Sequence, residues 1–149
     1  MPTVEKVART DAGLASELRL SVMRLRRRLA AERHPDNELS LGAMAVLGAL
    51  HRNGDLSIGE LAAHEHVQPP SMTRTVNCLE ADGYVVRRPH ESDGRQVVVS
   101  ISETGRATLM ADRARRDAWL AMRLRDLTAE ERAVLRRAAP LLEQLAQKD

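Results

Sequence analysis

Residues 57–101 read SIGELAAHEHVQPPSMTRTVNCLEADGYVVRRPHESDGRQVVVSI. Ser57 and Glu60 form S-x-x-E, a capping box that satisfies free amide groups at a helix start. Ile58, Leu61 and Ala62 supply the apolar face of that short helix. The segment from His64 to Val67 breaks the pattern. Pro69 and Pro70 suit the first turn of a second helix, where a missing N–H costs nothing. That helix is predicted to run to Ala81, with Met72, Val76 and Leu79 inward at spacings of four and three. Asp82-Gly83 ends it, because glycine is free to take a left-handed conformation. Tyr84-Val85-Val86 and Val97-Val98-Val99 are β-rich runs on either side of a charged loop, Arg87 to Gln96. A helix-turn-helix followed by a hairpin is a winged helix, and its second helix is the one shaped for a major groove.

In this order and spacing the residues resemble the MarR family of bacterial transcription regulators. The matching pieces are Ser57 with Glu60-Leu61-Ala62, Ser71-x-Thr73-Arg74, Leu79-Glu80-x-x-Gly83-Tyr84-Val85, Arg87-Arg88 and Asp93-x-Arg95. Ile101-Ser102-x-x-Gly105 follows, where the family usually has Leu-Thr-x-x-Gly. The family's wing often carries Asp-Arg-Arg, and Gly94 stands here at the middle position. The resemblance covers nearly the whole chain. It implies an intertwined homodimer built from terminal helices, and a response to aromatic acids or other small compounds.

Outward from the winged helix, the flanks are helical. The polar residues 1–11 are expected to fray. Leu14, Leu18, Val22, Leu25 and Leu29 recur at helical spacing, which predicts an amphipathic helix from Asp11 to about Arg33. Its polar side carries Arg24, Arg26, Arg27 and Arg28, a charge run that reads first as a solvated or intersubunit face and second as a DNA track. His34 to Asn37 is a break. Ser40 caps a helix from Leu41 to about Arg52, with Met44, Leu47 and Leu50 inward and Asn53-Gly54-Asp55 as its stop. Ser102 caps a long helix from Glu103 to about Asp126, with Ala107, Met110, Ala114, Ala121 and Leu124 as its apolar positions. Thr128 and Glu131 make a second capping box. Val134, Ala138, Leu141, Leu142 and Leu145 form the last stripe, interrupted by Pro140, where a kink is expected. The fold class is therefore mainly α with a small β-hairpin wing. It is a single domain over 1–149, with dimerisation helices at 11–34 and 103–147 and a winged helix-turn-helix at 40–101.

Composition narrows the function. Hydrophobic residues make up 43% and charged residues 30%, a globular balance, with Tyr84 and Trp119 the only aromatics. No apolar run approaches the roughly 20 residues of a membrane span. The N-terminus shows no apolar region of a secretory signal. One cysteine, Cys78, fits a reducing bacterial cytoplasm. Net charge is only +2, and residues 57–101 carry four arginines against six acids, a local −2. DNA binding must then come from clustered arginines with the acids turned away. No cofactor motif and no catalytic constellation is present. His64-Glu65-His66 lacks the i,i+4 spacing that brings two ligands together on a helix, so no metal is assigned. Cys78 reads as a small filler at a helix edge. A redox-responsive regulator acting through Cys78, and a winged helix used for protein interaction, stay open as alternatives.

The site residues follow from this reading. Ser71, Thr73, Arg74 and Asn77 are expected on the exposed side of the recognition helix, with Gln68 and Pro70 at its N-terminus. Arg87 and Arg88 would meet phosphates at the base of the wing, and Arg95, oriented by Asp93, would enter the minor groove. The expected partners are double-stranded DNA, a second copy of the chain, and a small aromatic or phenolic effector, with no membrane.

Overall fold

Most of the described helices begin where a short side chain can satisfy the first free amide groups. The computed structural model describes residues 10–147, so the fraying expected of the first residues falls largely outside the described part. Helix α1, Asp11–Ala31, starts at Thr10, whose hydroxyl accepts from the Gly13 N–H at 3.1 Å. Helix α2, Leu41–Asn53, starts at Ser40, which accepts from the Ala43 N–H at 3.1 Å. Strand β1, Leu56–Ser57, leads into α3, Ile58–Glu65. The capping box of α3 is complete: the Glu60 N–H donates to the Ser57 hydroxyl at 3.1 Å, and the Ser57 N–H donates to the Glu60 carboxylate at 3.2 Å. His66 then takes a left-handed φ of 53° and turns the chain. Helix α4, Pro69–Ala81, opens on its two prolines. Beyond Asp82, Gly83 adopts a φ of 81° and releases the chain into β2, Val85–Pro89, which is followed by β3, Val97–Ile101. Helices α5, Glu103–Leu124, and α6, Ala129–Gln147, complete the chain.

The chain forms two compact units. Residues 33–114 make the winged-helix unit. Its core joins α2, α3, α4 and the sheet through Val46, Leu47, Leu50, Leu61, Val76, Leu79, Val85 and Val99. Among the described residues three strands form one antiparallel sheet in the order β1-β3-β2, with Leu56 opposite Val99 and Arg87 opposite Val99 on the other side. The inward positions expected on α2, α3 and α4 are buried or, at Ile58, packed against the core. Strand β2 extends through Arg87, Arg88 and Pro89, residues expected in the loop, because long arginine side chains can leave an exposed strand face without disturbing the ladder.

The inward face of α5 differs from the expected one. Gly105, Leu109 and Asp112 are buried, while Ala107, Met110 and Ala114 are exposed. Backbone proximity explains this. Ser102 donates its hydroxyl to the Gly83 carbonyl at 2.6 Å, its N–H donates to the Tyr84 carbonyl at 3.0 Å, and its oxygen accepts from the Gly105 N–H at 3.0 Å. These bonds draw the first turn of α5 onto Tyr84, and a Cβ at Gly105 would overlap the Tyr84 carbonyl. Asp112, one turn beyond Leu109, is wholly buried. It accepts from the His34 N–H at 3.0 Å and the Asn37 side-chain amide at 2.6 Å, with the Arg33 guanidinium 3.9 Å away.

The second unit comprises the chain up to Glu32 and from Arg115 onward. The Arg116 guanidinium donates to the Leu29 carbonyl at 3.2 Å, and Arg28 and Arg123 lie over the Trp119 ring at 5.2 and 5.3 Å from its centre. Such stacks are favourable cation–π contacts. The second capping box is present: the Thr128 N–H donates to Glu131 at 2.9 Å, and the Glu131 N–H donates to Thr128 at 3.1 Å. These bonds stabilise the ionised Glu131 and lower its pKa. Helix α6 runs continuously through Pro140, although the ring removes the bond to the Arg136 carbonyl. The apolar stripes stay open to solvent, with Leu14, Val22, Leu25, Val134, Leu141, Leu142 and Leu145 all exposed.

The close approach at Gly105 yields a direct expectation. Gly105→Ala should destabilise the protein by about 1–3 kcal/mol, because the Tyr84 backbone cannot move aside as a side-chain tip would. Urea denaturation measures it. An unchanged midpoint would show that α5 is not held against Tyr84 as described.

Candidate nucleic-acid interface

Helix α4 and the β2–β3 hairpin carry the expected site residues. Gln68 precedes α4 as its N-cap residue without a side-chain capping bond, so its amide is not spent on the helix. Gln68 and Pro70 are exposed, as are Arg74 and Asn77. Positions 70, 74 and 77 share one side of a helix by their spacing of four and three. Ser71 and Thr73, expected on the same open side, are half-buried. Their local bonds are internal: the Thr73 hydroxyl donates to the Pro69 carbonyl at 3.0 Å, and Arg74 donates to the Ser71 hydroxyl at 3.3 Å.

The strand arginines are engaged with acids and amides rather than turned outward alone. Arg87 donates to the Asn77 side-chain carbonyl, and its Nε stands 3.6 Å from the Glu80 carboxylate. The guanidinium therefore ties β2 back to α4, and Asn77 is occupied from the side. Arg88 pairs with the carboxylate of Asp55, which follows α2. The Arg88 hydrogen bond and charge hold the Asp55 carboxyl below its ordinary range and raise Arg88 in turn. The expectation that the acids turn away thus needs correction at Glu80. Its carboxylate sits beside Arg87 because an arginine on a strand packed against α4 meets that helix's own acid first.

At the hairpin tip, Asp93, Gly94 and Arg95 are exposed. The Asp93 carboxylate accepts from the Arg95 main-chain N–H at 3.1 Å, and the Gln96 N–H donates to the Asp93 carbonyl at 3.0 Å. Asp93 thus orients Arg95 through its main-chain amide rather than through its guanidinium. A two-residue separation lets a short carboxylate reach the amide, leaving the arginine side chain projecting from the turn. Gly94 does not use a left-handed φ, and a side chain placed there would meet open space.

One residue escaped the sequence reading. Asp55 was read as part of a helix stop, and only its pairing with Arg88 gives it a place at the wing. Cys78, read as a filler, is exposed beside Arg74. It lines a cleft of about 290 Å³ with Glu38, Ser40 and Asp82. His64 and His66 do not share a helix face: α3 ends at Glu65, and His66 lies in its left-handed cap. Among the described residues no cluster of histidine, cysteine and acids is arranged to hold a metal ion.

An exposed helix face after a tight turn, followed by an arginine-bearing hairpin, is the geometry of a winged-helix DNA reader. Comparison with known proteins agrees. The model of the MarR family matches residues 39–97. The uncharacterized HTH-type transcriptional regulator Mb0904 of Mycobacterium bovis is 47% identical over 133 residues, covering 89% of this chain and 92% of that one. This chain belongs to the MarR family. It is a transcription regulator and not an enzyme. The HTH-type transcriptional repressor MdtR of Bacillus subtilis is 28% identical, over 90% of this chain and 86% of its own length. A solved Pseudomonas aeruginosa structure matches with a TM-score of 0.82 at 37% identity, covering 95% of this chain and 99% of that one. No described helix is long and apolar enough to cross a membrane.

The Asp55–Arg88 pair has a testable pH signature. A carboxylate whose pKa falls on folding adds stability that is complete above the unfolded value, about 3.9, and fades as pH drops through the lower folded value. Asp55→Asn should therefore cost the same stability anywhere between about pH 5 and 8, and the difference from wild type should shrink toward pH 2. Urea midpoints across pH measure this. A difference that persists at the acid end would remove the ion pair as its cause.

Proposed function

We propose that the chain is a bacterial cytoplasmic repressor that binds a pseudo-palindromic operator as a homodimer and leaves it when a small aromatic or phenolic effector binds. The observation that carries this reading is the joint exposure of Arg74 and Asn77 on α4 and of Arg95 at the hairpin tip. Helix α4 enters the major groove, with Ser71, Thr73, Arg74 and Asn77 toward the bases and Gln68 and Pro70 at the backbone. An arginine on such a helix can bond guanine through two donors at once. Arg95 enters the adjacent minor groove. Arg87 and Arg88 remain at the wing root as phosphate contacts whose acid partners fix their position. The name of the Bacillus relative, a repressor, supports the direction of control.

Dimerisation follows from the open apolar stripes of α1 and α6. Seven large apolar side chains left in water are a strong incentive to association. One winged helix reads one half-site, and a two-fold dimer supplies the second about one helical turn away. The effector is assigned from the family's habit. A cleft of about 260 Å³ between His34, Asn37, Tyr84 and Thr108 offers hydrogen-bonding groups beside the chain's one tyrosine.

Fluorescence anisotropy with DNA from the gene's own promoter tests this. Arg74→Ala should weaken operator binding by about 1–3 kcal/mol and relax preference at one base pair per half-site. Equal loss on operator and random DNA would move Arg74 to the backbone contacts and contradict its reading role. Sedimentation should give a dimer at micromolar concentration. A folded monomer there would refute the two-half-site arrangement.

A further inference from the structure

The geometry points to His90 as the positioning residue of the wing, an acid-sensitive acceptor on which the turn that presents Arg95 is built. The inference rests on the reading of Arg95 as a DNA contact for its functional consequence, and on hydrogen bonds alone for its structural one. His90 follows directly on β2, and its N–H donates to the Gln96 carbonyl at 2.9 Å, closing the base of the turn. Its Nδ1 then accepts from the main-chain amides of the next residues, the Ser92 N–H at 3.2 Å and the Asp93 N–H at 3.3 Å, with the Ser92 hydroxyl 3.0 Å away. Which imidazole nitrogen bears a proton normally has to be assigned. Here the choice is forced, because two of the partners are main-chain amides that can only donate. In this arrangement Nδ1 is the accepting nitrogen.

The bonds continue in series. Asp93, held by His90, accepts from the Arg95 N–H through its carboxylate and from the Gln96 N–H through its carbonyl. The order from His90 to Asp93 to Arg95 contains no helix and no core residue. It is a turn closed by main-chain bonds at its base, in which the His90 Nδ1 is the acceptor that holds the Ser92 and Asp93 amides. A proton on Nδ1 would set N–H against N–H at that point and release the Ser92 and Asp93 amides. Histidine is the side chain that changes charge near neutral pH. The charged groups around it on the hairpin are Arg88 on β2 and Glu91, Asp93 and Arg95 in the turn, and β3 contributes none.

The sign separates this role from ordinary electrostatics. A protonated His90 is an added cation near DNA, and by charge alone acid would tighten binding. The turn predicts the reverse: affinity is full while the His90 Nδ1 accepts, and it declines when acid places a proton there. His34 makes a similar bond, its Nδ1 accepting from the Asp36 N–H at 3.2 Å, so the test compares variants at position 90. Asparagine there supplies a side-chain carbonyl that accepts from the amide two residues on and does not titrate.

The experiment follows wild type, His90→Asn and His90→Ala from about pH 8 to about pH 5.5, with thermal melts confirming that each is folded. The Ser92 and Asp93 amide NMR signals of the free protein are recorded, and affinity for one promoter fragment is measured by anisotropy. In wild type those amide signals should move with the His90 titration, and in His90→Asn they should stay fixed. Acid should weaken wild-type binding about ten-fold more than His90→Asn, the worth of one or two hydrogen bonds. His90→Ala should bind weakly at both ends. Amide signals indifferent to the protonation of His90, or a wild-type pH profile equal to or opposite in sign from this, would overturn the inference. If no DNA binds, the regulator reading fails while the amide signals still decide the role of His90.

Discussion

The carboxylate of Asp112 lies out of water, and the architecture of the winged-helix unit answers to it. A buried charge is tolerable only with donors around it. One short segment brings several: the His34 N–H, the Asn37 side chain and the nearby Arg33 guanidinium. Arg33 also donates to the Leu39 carbonyl, and the Asn37 carbonyl oxygen accepts from the Leu39 N–H at 3.0 Å. The connection from α1 to α2 is therefore shaped around a single residue of α5. Removing that carboxylate would leave several donors unsatisfied at once, which costs more than any one bond contributes.

The same constraint, in milder form, orders the DNA-facing side. The segment 57–101 carries more acids than arginines, which argues against a general attraction to a polyanion. The arrangement resolves the difficulty locally. Glu80 and Asp55 neutralise the strand arginines where the hairpin joins the unit, while Arg74 and Arg95 stand at exposed positions. On the proposed reading, charge fixes position at the root of the wing and is left for DNA contact at the helix face and the tip. Such a surface gains its affinity from placement, which favours specific over diffuse binding.

Much of this was legible in the sequence because it is local. Caps, prolines, turn glycines and apolar spacings act within a few residues, and Ser57 with Glu60, Thr128 with Glu131, Gly83, and the inward faces of α2 to α4 all stand where the pattern puts them. What was illegible joins distant residues. Strand β1 is two residues long and exists only through pairing with β3. Asp55 meets Arg88 from the far side of two helices. The buried face of α5 holds a glycine and an aspartate, residue types that a search for apolar stripes discards, and it is chosen by the approach to Tyr84 and by the donors around His34. The site was readable to the level of which elements bear it. Its hydrogen bonds were not, because a short carboxylate such as that of Asp93 can reach either a side chain or a backbone amide at the same spacing.

In the proposed account the physics of the scaffold and the function meet in one geometric demand: two recognition helices must reach successive major grooves of one duplex. Nuclease footprinting of the promoter with the purified protein tests this most directly. The account predicts two protected half-sites with centres about one helical turn apart, related by an approximate inverted repeat, with protection extending into the flanking minor grooves. A single protected half-site, or uniform protection without sequence preference, would contradict it.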